Sequence, residues 1–226
     1  GTSRLRATGV RRRDPEPGTG PAPAPHPPPS HGLHDNDEMT TSRQDVTSGR
    51  QPMLSHDRRH VIVFNGEVYN HLGLRPQISR KAGTVFRTRS DTETVLEGWK
   101  AFGMAFFESL EGEYAFVISA ADGSDLLAHR DRFGVKPLFL YCPALDTRGF
   151  AVFSASYQFT TPRIEFSSEI KGLAATKCWN REGLLRQFVG LYEPIRTPFE
   201  HLIQLPPGGL LQMHRQADTL TCELTT

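Results

Sequence analysis

The stretch Val61–Arg75, "VIVFNGEVYNHLGLR", decides how the chain is read. Four apolar residues, Val61 to Phe64, run directly into Asn65-Gly66-Glu67, and a polar segment with helical spacing follows. The run Val61–Asn65 is short enough for a buried strand. An Asn-Gly pair between two strands marks a hairpin turn, but the residues after Gly66 do not alternate as a returning strand would. On chemistry alone, a glycine just past a strand lets a ligand approach the backbone closely. Its N–H and the Asn65 carboxamide can aim two neutral donors at one oxygen, which is what an oxyanion hole requires.

The rest of the chain supplies a scaffold. Asn70 to about Ala82 reads as an irregular helix in which Pro76 marks a break or a first turn, and Val85–Arg87 as a short strand. "SDTE" opens a second helix, Thr92–Phe102, in which Ser90 and Glu93 have capping-box spacing. Tyr114–Ala120 and Leu126–Arg130 flank "ADGSD" as a hairpin. Pro137–Tyr141, Phe150–Ser154 and Ile164–Phe166 continue the strands. Ser168–Ala174 and Arg181–Val189 read as helices, and the segment from Pro198 reads as a turn before one more strand. Strands in hairpin order beside separate helices make an α+β protein.

Of 226 residues, 37% are hydrophobic and 23% charged, enough apolar content for one domain with a core. The net charge of +1 gives no field for nucleic acid or an anionic membrane, and no apolar run is long enough to span a bilayer. Cys142, Cys178 and Cys222 have neither disulfide-framework nor metal-ligand spacing, and the nine histidines form no ligand motif. No metal site is expected, and the cysteine usage suits a cytoplasmic setting. Residues 1–46 differ in texture: eight of the 17 prolines fall between Pro15 and Pro29, and aromatics are absent. That segment is expected to be a disordered tail, with one domain over residues 47–226.

Five motifs in order, "VFNGEVYNHLGLR", "FRTRSDTE", "HRDRFGVKPLF", "SSEIKGL" and "TPFEHLIQLPPGG", together with "TSGRQPM" from Thr47, resemble the glutamine-hydrolysing domain of asparagine synthetase. That domain is a class II glutamine amidotransferase with an N-terminal-nucleophile fold. The resemblance implies an αββα sandwich of two mainly antiparallel sheets, here expected to be incomplete at its N-terminus. It implies that Asn65 and Gly66 form the oxyanion hole, that Glu67 helps hold the substrate, and that Asp91 takes the α-ammonium of glutamine. A carboxylate is the natural partner of an ammonium, although a residue at Asp91 also suits the start of a helix. The charged "HRDRFGVKPLF" loop is expected to be structural.

The resemblance also implies an amino-terminal cysteine nucleophile. All three cysteines lie after Asn65. The run that carries the family's arginine for the substrate carboxylate is not matched, and Arg43 falls out of register. The chain therefore reads as a fragment, a partial glutaminase domain expected to be inactive by itself. The alternative is a non-catalytic module that binds glutamine or a partner. Glutamine is the expected ligand and an asparagine synthetase domain the expected partner. No cofactor is expected in this chain, since ATP and Mg would belong to the synthetase domain.

Overall fold

The structure, a computed structural model, describes residues 49–145, 156–191 and 195–225. The expected disordered tail and the expected strand Phe150–Ser154 lie outside the described residues.

Alternation of apolar residues builds two opposed faces on one antiparallel sheet. Its strands are β1 (Met53–Leu54), β2 (His60–Val68), β3 (Gly112–Ala120), β4 (Asp125–Arg130), β6 (Ser156–Thr161), β9 (Leu210–Gln216) and β10 (Thr219–Thr225), in the order β1-β2-β3-β4-β9-β10-β6. On one face Ile62, Phe64 and Val68 join Tyr114, Phe116, Ile118 and Leu127. Two helices cover that face, α1 (His71–Ala82) and α2 (Asp91–Phe102), through Leu74, Ile78, Val95 and Leu96. A 3-10 turn, Gly103–Ser109, adds Phe106 and Phe107. On the other face Ala115, Leu126, Ala128, Leu211, Met213 and Cys222 meet a second sheet.

That second sheet is three-stranded, with order β7-β5-β8: β5 (Phe139–Tyr141), β7 (Glu165–Ser167) and β8 (Leu202–Gln204). Leu140 and Ile203, both fully buried, carry it into the shared core. The last helix, α3 (Arg181–Phe188), lies along the segment leading into β8. A Cβ on Gly183 would stand 2.8 Å from the Thr197 carbonyl oxygen. The protein is thus an α+β sandwich of two antiparallel sheets with helices outside them.

Several elements differ from expectation. The Asn-Gly pair does not follow a strand but sits inside one. β2 continues to Val68, pairing Asn65 with Ala115, Gly66 with Tyr114 and Glu67 with Glu113. Val85–Arg87 is not a strand: Val85 is exposed, and Phe86 instead lies under the Arg75 guanidinium, 4.4 Å away. α1 runs through Pro76 rather than breaking there. The missing hydrogen bond would have gone to the carbonyl of Leu72, a residue exposed to solvent. The expected helix Ser168–Ala174 shrinks to a 3-10 turn, Ile170–Gly172. The C-terminal region supplies three strands rather than one, because β9 and β10 form a hairpin across the sandwich core and β8 belongs to the other sheet.

Ser90 caps α2 as expected, its hydroxyl accepting from the Thr92 N–H at 3.2 Å. Glu93 does not close the capping box. Its buried carboxylate accepts from the backbone N–H groups of Arg87 (2.8 Å) and Thr88 (2.7 Å), from the Thr88 hydroxyl (2.6 Å), and meets His56 Nε2 at 2.6 Å. Burial raises its pKa, but these hydrogen bonds outweigh it, so the net shift is downward. Glu93 thereby shapes the loop that precedes its own helix.

Candidate functional site: strand β2 and the start of helix α2

In an antiparallel pair, backbone N–H groups alternate between facing the partner and facing away. Along β2 the N–H of Phe64 donates to Gln51 Oε1 at 2.6 Å, and that of Val68 to Asp91 Oδ2 at 3.0 Å. Even-numbered N–H groups thus leave the strand on the side away from β3. The N–H of Gly66 falls in the same phase, between two donors already occupied by side chains. Positions two apart on a strand are about 7 Å apart.

Gly66 itself has φ +138°, and a Cβ there would stand 2.0 Å from the Glu113 carbonyl oxygen. Gly112, facing Val68, is crowded in the same way, with the Glu67 carbonyl oxygen at 2.2 Å from its would-be Cβ. Backbone crowding between β2 and β3 by itself requires glycine at these two positions.

The side chains of Asn65 and Glu67 share a sheet face with Val63 and, across the pair, with Ala115 and Glu113. Both are exposed, because the small sheet covers β4, β9 and β10 rather than β2. Glu67 and Glu113 stand directly opposite, an unfavourable like-charge pair, and Lys136 meets Glu113 at 3.2 Å.

Asp91 arrives from the other side. It is the first residue of α2, and its two oxygens are divided: Oδ1 accepts from the Thr92 N–H at 2.8 Å, Oδ2 from Val68. Helix start and β2-edge contact are served by one carboxylate. The fold therefore brings Asp91 to the edge that carries Asn65, Gly66 and Glu67. His71, at the start of α1, lies within the fields of Asp91 and Glu67. Burial lowers its pKa, and Asp91 opposes that shift.

The charged loop behaves as a scaffold. Asp131 is wholly buried and accepts from the N–H groups of Tyr114, Phe133, Val135 and Lys136, at 3.0 to 3.3 Å. Arg130 donates to the carbonyls of Lys136, Gly134 and Leu205. Two buried, oppositely charged side chains thus fix the turn between β4 and β5.

Gln51 was given no role by sequence reasoning. Its contact to Phe64 spans 13 residues and leaves no local pattern. A cavity of about 520 Å³ lies elsewhere, lined by His56, Asp57, Thr84, Val85, Arg87 and Lys100, and none of Asn65, Gly66, Glu67 or Asp91 lines it. Cys142 and Cys222 are buried, and burial raises both thiols, that of Cys222 to about 12. Cys178 is exposed, beside the Trp179–Phe199 contact on the small-sheet side.

The chain belongs to the glutamine amidotransferase domain family, whose model matches residues 38–223. Among curated proteins it is similar to a putative asparagine synthetase (glutamine-hydrolyzing) of Mycobacterium tuberculosis, 42% identical over 100 residues, covering 42% of this chain and 15% of that protein. It is also similar to asparagine synthetase B of Escherichia coli, 28% identical over 144 residues, covering 64% of this chain and 25% of the relative. An asparagine synthetase of Bacillus subtilis is 36% identical over 125 residues, 55% of this chain and 20% of the relative. The chain thus matches a quarter or less of the length of these relatives. Among solved structures, the glutamine phosphoribosylpyrophosphate amidotransferase of B. subtilis overlaps 76% of this chain and 31% of its own at 20% identity, with a TM-score of 0.46. No helix among the described residues is long and apolar enough to cross a membrane.

Proposed function

We propose that this chain is a glutaminase-type domain of the asparagine synthetase kind, and that the β2 edge is its glutamine site. In this reading Asp91 takes the α-ammonium, Glu67 helps hold the substrate, and Asn65 Nδ2 with the Gly66 N–H receives the carboxamide oxygen. One observation carries it: Asp91 is bonded to the Val68 N–H, one ladder repeat from that of Gly66. An extended glutamine spans about 6 Å from its α-nitrogen to its carboxamide oxygen, commensurate with that repeat.

Hydrolysis needs a nucleophile beside the oxyanion donors. Cys142 and Cys222 are buried with raised thiols, and Cys178 stands on the small-sheet side. The 226-residue chain is therefore proposed to bind glutamine without releasing ammonia from it. In the longer relatives a synthetase domain would be the partner that uses the ammonia, and ATP and Mg would be bound there.

Titration calorimetry with glutamine and an ammonia-release assay on the same sample test both halves. Saturable heat with background ammonia is expected. Absence of heat at millimolar glutamine would remove the binding site, and sustained ammonia release would remove the claim that this chain is inactive.

A further inference from the structure

A carboxylate rewards an ammonium only when it is held where the ligand meets it. We infer that Arg75 is the positioning residue that sets Asp91 for that task; this rests on the glutamine-site reading above. Asp91 opens α2 directly after the loop that leaves α1, and it reaches Val68 only while that loop keeps the helix start in place. Among the described residues, no backbone–backbone hydrogen bond holds residues 84–89, so side chains must hold them.

Two side chains divide the loop between them. Glu93 takes its donors, the N–H groups of Arg87 and Thr88. Arg75, on α1, takes its acceptors. It donates to the carbonyl of Thr88 at 2.7 Å and to that of Ser90, the residue before Asp91, at 2.8 Å. Its Nε donates to the Thr94 hydroxyl at 2.9 Å, within α2, and its Cζ lies 4.4 Å from the centre of the Phe86 ring. A guanidinium offers these donors in one rigid plane, so α1, the loop and the start of α2 are fixed together. Burial lowers the Arg75 pKa, and the Glu93 and Asp91 carboxylates oppose that shift. Arg87 and Arg89, exposed on the same loop, make no such bridge among the described residues. Arg75 thus acts through Asp91 rather than on the ligand.

Two measurements on the full chain test this. The first needs no ligand: in Arg75→Met, amide hydrogen exchange at Val68, held by Asp91, is expected to quicken about tenfold or more, while Phe64, held by Gln51, keeps its rate. The second is calorimetry with glutamine and with glutaramic acid, which keeps the carboxylate and carboxamide but lacks the α-ammonium. The unsubstituted chain is expected to prefer glutamine about tenfold or more. Arg75→Met should erase most of that preference, and Arg75→Lys, which keeps the charge but not the planar fork, should lose part of it. Added to Asp91→Asn, Arg75→Met should remove no further preference. Unchanged exchange at Val68, or equal quickening at Val68 and Phe64, overturns the assignment. So does a preference that survives Arg75→Met or, should that variant not fold, one undiminished in Arg75→Lys. If the unsubstituted chain does not bind glutamine, the glutamine-site reading fails and this role fails with it, whatever the exchange rates show.

Discussion

At Gly66 two demands meet in one residue. The backbone adopts φ +138°, and the space a Cβ would fill holds the Glu113 carbonyl. Gly66→Ala is expected to cost about 2–4 kcal/mol, through backbone strain and displacement of β3. The melting midpoint should fall by about 5–10 °C in a thermal scan. Asn65→Ala, at an exposed side chain, should change stability by no more than about 0.5 kcal/mol. Asp91→Asn keeps an oxygen able to accept from Val68 but removes the charge. The second carboxylate oxygen, which accepts from Thr92, becomes an amide donor, so the variant is expected to weaken glutamine binding about tenfold or more and to lose about 1 kcal/mol of stability, as calorimetry and a thermal scan on one preparation would show. The need for glycine was visible in the sequence, but its first cause was not. The crowding carbonyl belongs to Glu113, 47 positions along the chain from Gly66.

Among the elements, the β4–β5 turn depends on Asp131 more than on any apolar contact. Removing the carboxylate in Asp131→Ala leaves four N–H groups short of an acceptor and the buried Arg130 without its neighbouring charge. Leaving buried N–H donors without their acceptor is expected to cost about 3–5 kcal/mol in all. Urea unfolding should show a correspondingly lower midpoint, and an unchanged midpoint would refute the scaffold role. Local pattern identified α2 and the β3–β4 hairpin, whereas the convergence of Asp91 on the Asn-Gly strand was implied only by the family resemblance. It failed where side chains replace regular pairing. Val85 and Phe86 have strand-like composition, yet the loop is fixed by Glu93 and Arg75 and offers no strand to pair with. Strands β5 and β7 fall on the expected strands Pro137–Tyr141 and Ile164–Phe166, whereas β8, three residues long, is too short for period-two alternation to register.

For the whole molecule, acid sensitivity follows from half-buried imidazoles. His129 stacks on Phe107 at 5.0 Å and contacts the Gly209 carbonyl through Nδ1. Burial lowers its pKa from 6.5, against the pull of that carbonyl and of Asp131, and His71 is lowered in the same way. A lowered histidine means that below pH 6.5 the unfolded chain takes up the proton before the folded one. Stability is therefore full above about pH 6.5 and declines as pH falls toward the folded values. The lowered carboxylates Asp125 and Glu93 act only below their ordinary 3.8 and 4.5, outside this window. A thermal midpoint lower at pH 5.5 than at pH 7.5 is expected, with a smaller difference in His129→Gln. An equal difference in that variant would place the effect elsewhere.

The row of main-chain donors along the β2 margin has an implication for descent. Gln51 and Asp91 occupy its outer positions, while the middle one belongs to a residue with no side chain to lose. Point substitutions around it can alter charge, affinity or turnover without removing that amide. In diverged copies of this domain that amide should therefore persist, and it would disappear only when the two strands themselves part.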